Sequence, residues 1–300
     1  MRDIVSLDSL TAEQRECVKK LTTAPTLAIP TVVMWGMLTA SYLASDTLAI
    51  QGHIPLWAGM LINSAVGYMA FSVVHDAIHR AISINVRLND ALGQLAIFLV
   101  APYIDLRLFR WAHILHHRFA NGPRDPDSLL RGPWWSLPFH WAFFDVIYFV
   151  FAIRHADKVS KRYIRTNLLL VALIALVIAT LAYYGFGEAM FVLWFIPSRI
   201  IFVALGFMFF WLPHVPHDTE QEVNFTCAST VREGLEWLLN PVMQYQNYHL
   251  IHHLYPTTPF YNNYKVWREI EPELRKKQLA VQYNLAIYPV ILAPSAPIAC

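Results

Sequence analysis

The stretch His113-Ile-Leu-His116-His117 places three imidazoles at i, i+3 and i+4, which is one face of a helix. The same spacing returns at His249-Leu-Ile-His252-His253, and His75-Asp-Ala-Ile-His79 repeats its i, i+4 part. Eight of the 13 histidines therefore lie in three clusters. Imidazoles that converge repel one another when protonated, so metal coordination is the usual reason for bringing neutral ones together. The pattern predicts a metal site that draws on all three clusters.

The number of imidazoles indicates more than one metal ion. Eight or nine nitrogen ligands exceed the four of a zinc site. Soluble bundles with a carboxylate-bridged metal pair have a Glu-x-x-His motif on each of two helices. Here one clustered histidine, His79, has a carboxylate three residues before it, at Asp76, so the sequence does not match that class. A zinc protease motif would have Glu at position 76 and would leave the other two clusters without a role. Ligand type alone does not choose among iron, copper, nickel and zinc.

The composition is that of a membrane protein. Of the 300 residues, 56% are hydrophobic and 15% are charged, against roughly 45–50% and about 25% in soluble domains. A net charge of +2 without a basic block argues against nucleic acid as a partner. Cys17, Cys227 and Cys300 are far apart, so neither a disulfide framework nor a thiolate metal site is predicted. The first 20 residues lack the features of a signal peptide and predict a cytosolic amphipathic start.

Four apolar runs approach the length of about 20 residues that a helix needs to cross a bilayer: residues 26–50, 54–74, 166–184 and 189–212. Residues 91–104 form a shorter run that predicts a re-entrant or interfacial segment. Residues 134–153 are interrupted by polar residues and rich in tryptophan, which predicts an interfacial segment. The predicted fold is one all-α integral membrane domain over residues 1–300. It has four transmembrane helices in two hairpins, interfacial helices, and a cytosolic helical cap formed by residues 75–165 and 213–300, with helices near 231–239 and 263–279.

The basic residues predict the orientation. Of 23 Lys and Arg, only Arg199 lies inside a predicted span, and none lies in the predicted outer turns. The positive-inside rule then assigns both termini and all three histidine clusters to the cytoplasm. Arg199 is expected to form a structural ion pair, with Asp105 as a candidate partner, or to contact an acyl headgroup.

The three histidine boxes, with apolar spans between them, resemble the membrane fatty acid desaturase superfamily, which includes alkane hydroxylases and carotenoid ketolases. The likeness covers residues 54–264. Asp125-Pro-Asp-Ser-Leu-Leu-Arg131-Gly-Pro-Trp is similar to the family's segment after the second box, and His253-Leu-Tyr-Pro-Thr-Thr-Pro-Phe to that after the third. The resemblance implies two iron ions that activate O2, and a lipid or fatty acyl substrate in the bilayer. It also implies a separate electron donor of ferredoxin, rubredoxin or cytochrome b5 type with its reductase.

The resemblance also implies which residues hold the metal. The predicted ligands are the eight box histidines and one further histidine near the end of the fourth run: His75, His79, His113, His116, His117, His249, His252, His253 and His214. His217 is the alternative to His214. Asp76, Asp125 and Asp218 are candidates to accept the outer N–H of a ligand or to bind the metal themselves. No catalytic residue beyond the metal ligands is predicted.

Several reactions are compatible with this ligand set. The leading hypothesis is O2-dependent desaturation of a fatty acyl chain. The alternative is a hydroxylase, ketolase or oxidative decarboxylase of a lipid or carotenoid, because residues 125–127 and 212–214 also fit that branch. A metal- or haem-binding membrane protein without catalysis is the hypothesis of another class. The ligands do not decide among them, because the placement of the substrate determines the product.

Overall fold

The computed structural model describes residues 4–5 and 9–294, and Cys300 lies outside them. The chain folds into two compact units. We call residues 26–114 and 129–207 the helical unit, and residues 1–25, 115–128 and 208–300 the mixed unit. Helix α5, Leu106–Phe119, contributes residues to both. The prediction of a single domain stays a prediction.

The helical unit consists of helices joined by short turns. Besides the first part of α5, they are α2 Ile29–Ile50, α3 Leu56–Ile78, α4 Val86–Ile97, α6 Leu137–Ala142, α7 Phe144–Arg154, α8 Ser160–Tyr183, α9 Gly187–Met190 and α10 Ile196–Leu205. Helices α2 and α3 form a hairpin whose turn contains Gly52 at φ +77°, a backbone conformation that glycine adopts without steric cost. The predicted interfacial segments form helices of 12, 6 and 11 residues, which are too short to cross a bilayer.

Within residues 4–5 and 9–294, three helices are long and apolar enough to span a membrane: Leu56–Ile78, Ser160–Tyr183 and the continuous stretch Gly187–His214. They correspond to the second, third and fourth predicted runs. The first run forms the 22-residue helix α2. Polar residues such as Ser45 and Asp46 lower its mean hydropathy, so α2 is not one of the three candidate membrane helices. The four-span count and the cytosolic orientation therefore stay predictions.

The stretch Gly187–His214 is the last of these candidate spans, and we call it the last span. It is interrupted by a wider turn at Phe191–Phe195. Such turns release carbonyl groups from the helical hydrogen-bond ladder. The Leu193 carbonyl accepts from Asn63 Nδ2 at 2.7 Å and from Tyr42 Oη at 3.3 Å. Gly59 lies at the same crossing, where a Cβ would be 2.6 Å from Leu193 Cδ2. These contacts hold α2, α3 and the last span together.

The mixed unit combines short helices with a small sheet. Its helices are α1 Ala12–Thr22, α11 Phe225–Ala228, α12 Glu236–Val242, α13 His249–Leu254 and α14 Asn263–Leu274, and its strands are β1 Val231–Glu233, β2 Leu279–Tyr283 and β3 Val290–Leu292. Strands β1 and β2 are parallel with Val231 opposite Val281, and β3 is antiparallel to β2. The predicted helix over 231–239 is therefore wrong at its start, because residues 231–233 pair with a strand 50 positions away.

The core of the mixed unit positions α13. Leu250 and Ile251 of α13 pack with Val266 and Ile270 of α14, and all four side chains are fully buried. The Thr230 backbone connects α13 to the end of the last span, because its N–H donates to Pro213 O at 2.9 Å and its carbonyl accepts from the Leu250 N–H at 3.1 Å. His214 and the first histidines of α13 are thereby held close together.

Candidate metal centre

Four buried histidines of the mixed unit converge on one point, and we call them the four-histidine cluster. His116 comes from α5, His214 from the turn Leu212–His214, and His249 and His253 from one face of α13. One ring nitrogen from each lies within 4.8 Å of the others. Two residues four positions apart face the same side of a helix, which is why the third box supplies two members.

An oxygen atom holds the outer nitrogen of each ring. The Nδ1 contacts are His116 to Asp125 Oδ1 at 2.9 Å, His214 to Ala228 O at 2.9 Å, His249 to Gln246 Oε1 at 2.9 Å, and His253 to Gln221 Oε1 at 3.0 Å. The Gln221 amide has a defined orientation, because its Nε2 donates to His117 O at 2.7 Å. Since these oxygens only accept hydrogen bonds, each Nδ1 carries the ring proton and each Nε2 keeps a lone pair.

The inner nitrogens face one another. His249 Nε2 lies 3.0 Å from His214 Nε2 and 3.1 Å from His253 Nε2. With the protons on Nδ1, these are contacts between lone pairs, which repel unless a cation lies between them. Imidazole nitrogens bind zinc at about 2.0–2.1 Å, so two nitrogen ligands of one ion are about 2.9–3.4 Å apart for angles between a right angle and the tetrahedral angle. The four-histidine cluster therefore fits a metal ion.

Two carboxylates support His116. Asp125 accepts from the N–H groups of Asn121 at 2.8 Å and of Asp127 at 2.9 Å, besides its contact with His116. Burial raises the pKa of Asp125, but the His116 imidazole and these hydrogen bonds lower it more, so the net shift is downward. Asp127 Oδ2 is 3.2 Å from the same His116 Nδ1. A carboxylate at this position orients a ligand imidazole and increases its basicity.

The remaining two box histidines of the mixed unit contact each other. His117 Nε2 and His252 Nε2 are 2.9 Å apart, and the ring centroids are 4.6 Å apart. Both side chains are buried.

The helical unit contains a separate group of three histidines. His75 and His79 lie at the end of α3, and His113 lies on α5. Their ring centroids are 5.0, 5.1 and 4.9 Å apart in pairs, and one nitrogen from each lies within 4.8 Å of the others. Arg110 of α5 stabilises the end of α3, because its guanidinium donates to Ile78 O and to a second α3 carbonyl, each at 2.9 Å.

Three of the weaker sequence candidates lie elsewhere. Among the described residues, His217 is outside these groups, and its ring packs against Trp211 at a centroid distance of 5.7 Å. Asp218 is exposed and accepts from Thr219 Oγ1 at 3.0 Å. Asp76 is buried and accepts from Thr31 Oγ1 at 3.0 Å. The structure thus brings His214 rather than His217 into the four-histidine cluster.

The sequence reasoning missed three residues that hold imidazoles: Asp127, Gln246 and Gln221. A local sequence signal existed for two of them, because Asp127 lies in the segment that resembles the family and Gln246 is three residues before His249. Gln221 had no local signal, since it is 32 positions from the histidine it contacts.

A cavity of about 550 Å³ lies within the helical unit, among α5, α7, α8 and the last span. Its walls are mainly apolar, and those from α5 include Phe109 and Ala112. The Phe109 ring packs against His113 with centroids 6.1 Å apart. Along α8 the lining extends from Asn167 to Ile178, which is about 16 Å of helix. The cavity therefore reaches the side chain next to one of the predicted ligands.

Arg199 lines this cavity and forms an ion pair, but not with the predicted partner. Its Nη2 is 3.0 Å from Asp145 Oδ2 and 2.8 Å from Tyr103 Oη, and the Tyr103 hydroxyl also donates to Asp145. The prediction of Asp105 is wrong, because Asp105 pairs with Arg107 at 2.7 Å. The expectation of a structural ion pair holds with Asp145 instead. We call Arg199, Asp145 and Tyr103 the Arg199 network.

The chain is similar to proteins of known activity. The family model described as fatty acid desaturase matches residues 52–284. A beta-carotene ketolase from a Paracoccus species is 30% identical over 195 residues, which is 64% of this chain and 70% of that protein. A beta-carotene ketolase from a second Paracoccus strain is 26% identical over 240 residues, 78% of this chain and 84% of that protein.

A zeaxanthin 4-ketolase from Chlamydomonas reinhardtii is 38% identical over 104 residues, which is 34% of this chain and 22% of that protein. The family match covers most of the chain, including all three histidine boxes. The chain therefore belongs to the fatty acid desaturase family and is an oxidoreductase.

Proposed function

We propose that this chain is an O2-dependent diiron oxygenase of the membrane that converts a ring methylene of a carotenoid into a ketone. The observation that carries the metal chemistry is the set of Nε2 lone pairs that meet at 3.0 and 3.1 Å with every Nδ1 held by an oxygen. The reaction is supported by the beta-carotene ketolases, which match along most of their length.

The residues divide between two proposed iron sites. The four-histidine cluster of the mixed unit would hold one ion. His75, His79 and His113 of the helical unit would supply ligands to the other, and the assignment of His117 and His252 as metal ligands stays part of the proposal. Bound iron would supply the activation of O2 that attack on an unactivated C–H bond requires, which acid–base groups do not provide.

The chain's own groups have three tasks in this proposal. Asp125, Gln246, Gln221 and Ala228 O keep the ligand imidazoles in the tautomer that presents Nε2. The burial of the histidines excludes bulk water from the reacting site. The apolar cavity beside His113 would hold the hydrocarbon in one position, so that the same carbon faces the metal site in both oxidation steps.

Conversion of a methylene to a ketone consumes two molecules of O2, four electrons and four protons, and releases three molecules of water. The electrons must come from a reductant, for which we propose a separate carrier of ferredoxin, rubredoxin or cytochrome b5 type. We also propose that the chain crosses the membrane four times, with both termini and the histidine boxes on the cytosolic side.

Expression in a bacterium that accumulates β-carotene tests this proposal. We expect carotenoids that have gained one oxygen and lost two hydrogens, detected by liquid chromatography and mass spectrometry. The His116→Ala variant should make none of this product while remaining in the membrane fraction. Unchanged carotenoids in cells that contain the wild-type protein with bound iron would contradict the ketolase assignment.

Desaturation of a fatty acyl chain is the second candidate, favoured by the description of the matching family. It predicts a different product, because two hydrogens are lost and no oxygen is gained. Analysis of the fatty acids from the same cells distinguishes the two reactions. New double bonds that depend on His116, together with unchanged carotenoids, would establish the desaturase.

A further inference from the structure

We propose that the 550 Å³ cavity of the helical unit binds an uncharged lipid and rejects molecules with an anionic head group, because Asp145 neutralises Arg199, the one Lys or Arg of the cavity lining. This inference rests on the proposed function, because it takes the cavity as the site that binds the substrate. It adds a rule of selection for that site, namely that the end of the ligand inside the cavity carries no charge.

The first step is the hydrogen bonding of Arg199. A guanidinium has five N–H groups, and five oxygen contacts surround this one. Nε donates to Ser198 Oγ at 3.2 Å, Nη1 to Ala142 O at 2.9 Å and Asp145 Oδ1 at 3.2 Å, and Nη2 to Tyr103 Oη at 2.8 Å and Asp145 Oδ2 at 3.0 Å. Arg199 is the only Lys or Arg among the residues that line the cavity. It has no N–H left for a substrate carboxylate.

The second step is the charge. Asp145 contacts Arg199 through both carboxylate oxygens, and the two side chains are only 6% and 16% exposed. The pair is neutral as a whole, so an anion that entered the cavity would remain without a counter-charge. Burying an unpaired carboxylate is strongly unfavourable. The other lining residues are apolar, aromatic or, like Asn167, uncharged.

The third step is a donor that the network does not use. Trp194 lines the same cavity, and its Nε1–H is buried without a hydrogen-bond partner among the described residues. Its ring meets the Tyr103 ring edge-on at a centroid distance of 6.2 Å, so it lies beside the Arg199 network. A hydroxyl or keto oxygen of a neutral ligand that comes within hydrogen-bond distance would satisfy this N–H, so the donor favours an uncharged oxygen beside the Arg199 network.

Binding of a matched pair of probes tests the charge rule without turnover. cis-Parinaric acid is a polyene carboxylate, and its methyl ester is neutral. Their binding to the detergent-solubilised protein is measured by energy transfer from tryptophan at about pH 9, where the acid is ionised. We expect the ester to bind at least about tenfold more tightly than the acid, and equal or tighter binding of the acid would overturn the proposal.

The Asp145→Asn variant tests the mechanism of rejection. It leaves the Arg199 charge unpaired, so the acid should bind about tenfold more tightly than in the wild type, while binding of the ester stays the same. Asp157→Asn, which changes an exposed carboxylate outside the cavity lining, is the matched control. If Asp145→Asn does not fold, the double variant Arg199→Met, Asp145→Leu removes both charges and should keep the preference for the ester. A double variant that binds the acid as well as the ester would contradict the rule.

The Trp194→Phe variant tests the donor. Retinol should bind about fivefold more weakly to it, which corresponds to the loss of one neutral hydrogen bond, while the hydrocarbon that lacks the retinol hydroxyl should bind as before. Trp134→Phe, at a tryptophan that is 82% exposed, is the control. An equal loss for both ligands would show that Trp194 only packs.

These outcomes separate the two proposals. A preference for the ester without any keto product would leave the cavity proposal intact and refute the ketolase. A keto product together with equal binding of acid and ester would support the ketolase and refute the cavity proposal.

Discussion

The four-histidine cluster of the mixed unit and the Arg199 network of the helical unit both bury polar side chains, and they differ in what remains unsatisfied. In the Arg199 network all five N–H groups of the cation reach oxygen atoms. In the four-histidine cluster the outer nitrogens are all held, but the inner lone pairs meet at 3.0 and 3.1 Å.

The difference indicates what each site is for. A buried group whose remaining atoms repel one another requires a ligand of opposite character, which here is a cation. A buried ion pair with every donor used has no further capacity for ions, so it limits what can occupy the space beside it. The four-histidine cluster is therefore expected to bind a metal ion, and the Arg199 network is expected to limit the charge of the molecule in the cavity.

The largest effect should follow from removal of one inner nitrogen. The His249→Ala variant is expected to lose metal from the four-histidine cluster and to lower product formation by at least about 1000-fold, because a catalytic metal contributes several kcal/mol to the barrier. Metal analysis by mass spectrometry and product analysis check this. His53→Ala, at an exposed turn, should retain both, and a fully active His249→Ala would remove the four-histidine cluster from the mechanism.

Opening the Arg199 network should affect stability more than metal content. Arg199→Met leaves the buried Asp145 carboxylate unpaired, which is expected to destabilise the protein by about 3–5 kcal/mol. The measurement is unfolding in detergent by heat or denaturant. Adding Asp145→Leu should restore most of the loss.

The pair of Lys276 and Glu273, in which the lysine is half-exposed, provides the control. Lys276→Met should change stability by less than about 1 kcal/mol. Arg199→Met with wild-type stability would show that the Asp145 carboxylate is not isolated by the substitution.

A smaller effect is expected at the outer nitrogens. Gln246→Leu removes the oxygen that accepts from His249 Nδ1, and loss of such a partner typically weakens metal binding by about 10–100-fold. Competition with a chelator measures this. Gln51→Leu, at an exposed turn, is the matched control. Unchanged affinity in Gln246→Leu would mean that the backbone alone orients His249.

The smallest effect concerns the support of the three-histidine group by Arg110. Burial raises the pKa of Asp90, but hydrogen bonds from Arg110 and Asn89 lower it more, so the net shift is downward. A carboxylate with a depressed pKa contributes stability above its ordinary pKa of about 3.9, and the contribution is lost as the pH falls through the depressed value.

Asp90→Asn should therefore be less stable than the wild type by about 1 kcal/mol or less near pH 6, with a difference that shrinks below about pH 4. Unfolding midpoints across this range, with the exposed Asp218→Asn as control, test the trend. A difference that grows towards acid pH would contradict the sign of the shift.

Local patterns predicted the features that depend on one helix. The box histidines are at i, i+3 and i+4, and α5 and α13 present them as the spacing indicates. Three of the four apolar runs coincide with helices that are long and apolar enough to span a membrane. Polar residues made α2 the exception, although it forms a helix over most of its predicted run.

Pairings between distant residues were not accessible in this way. Arg199 could have met any acidic residue near the membrane, and Asp145 lies 54 positions before it. The strand at 231–233 looked helical because its partner, near Val281, is far along the chain. The cavity depends on where α5, α7, α8 and the last span pack, and no single segment encodes its volume or its polar lining residues.

The sequence by itself determined that the protein has long apolar helices and carries histidines at a spacing that suits metal binding, because hydropathy and helical periodicity are properties of neighbouring residues. Only the tertiary structure decided that His214 rather than His217 joins the four-histidine cluster, that Gln221 and Gln246 orient two of its members, and that Asp145 neutralises Arg199. Those choices arise from contacts across tens of residues, where packing determines which of several chemically similar groups come within hydrogen-bond distance.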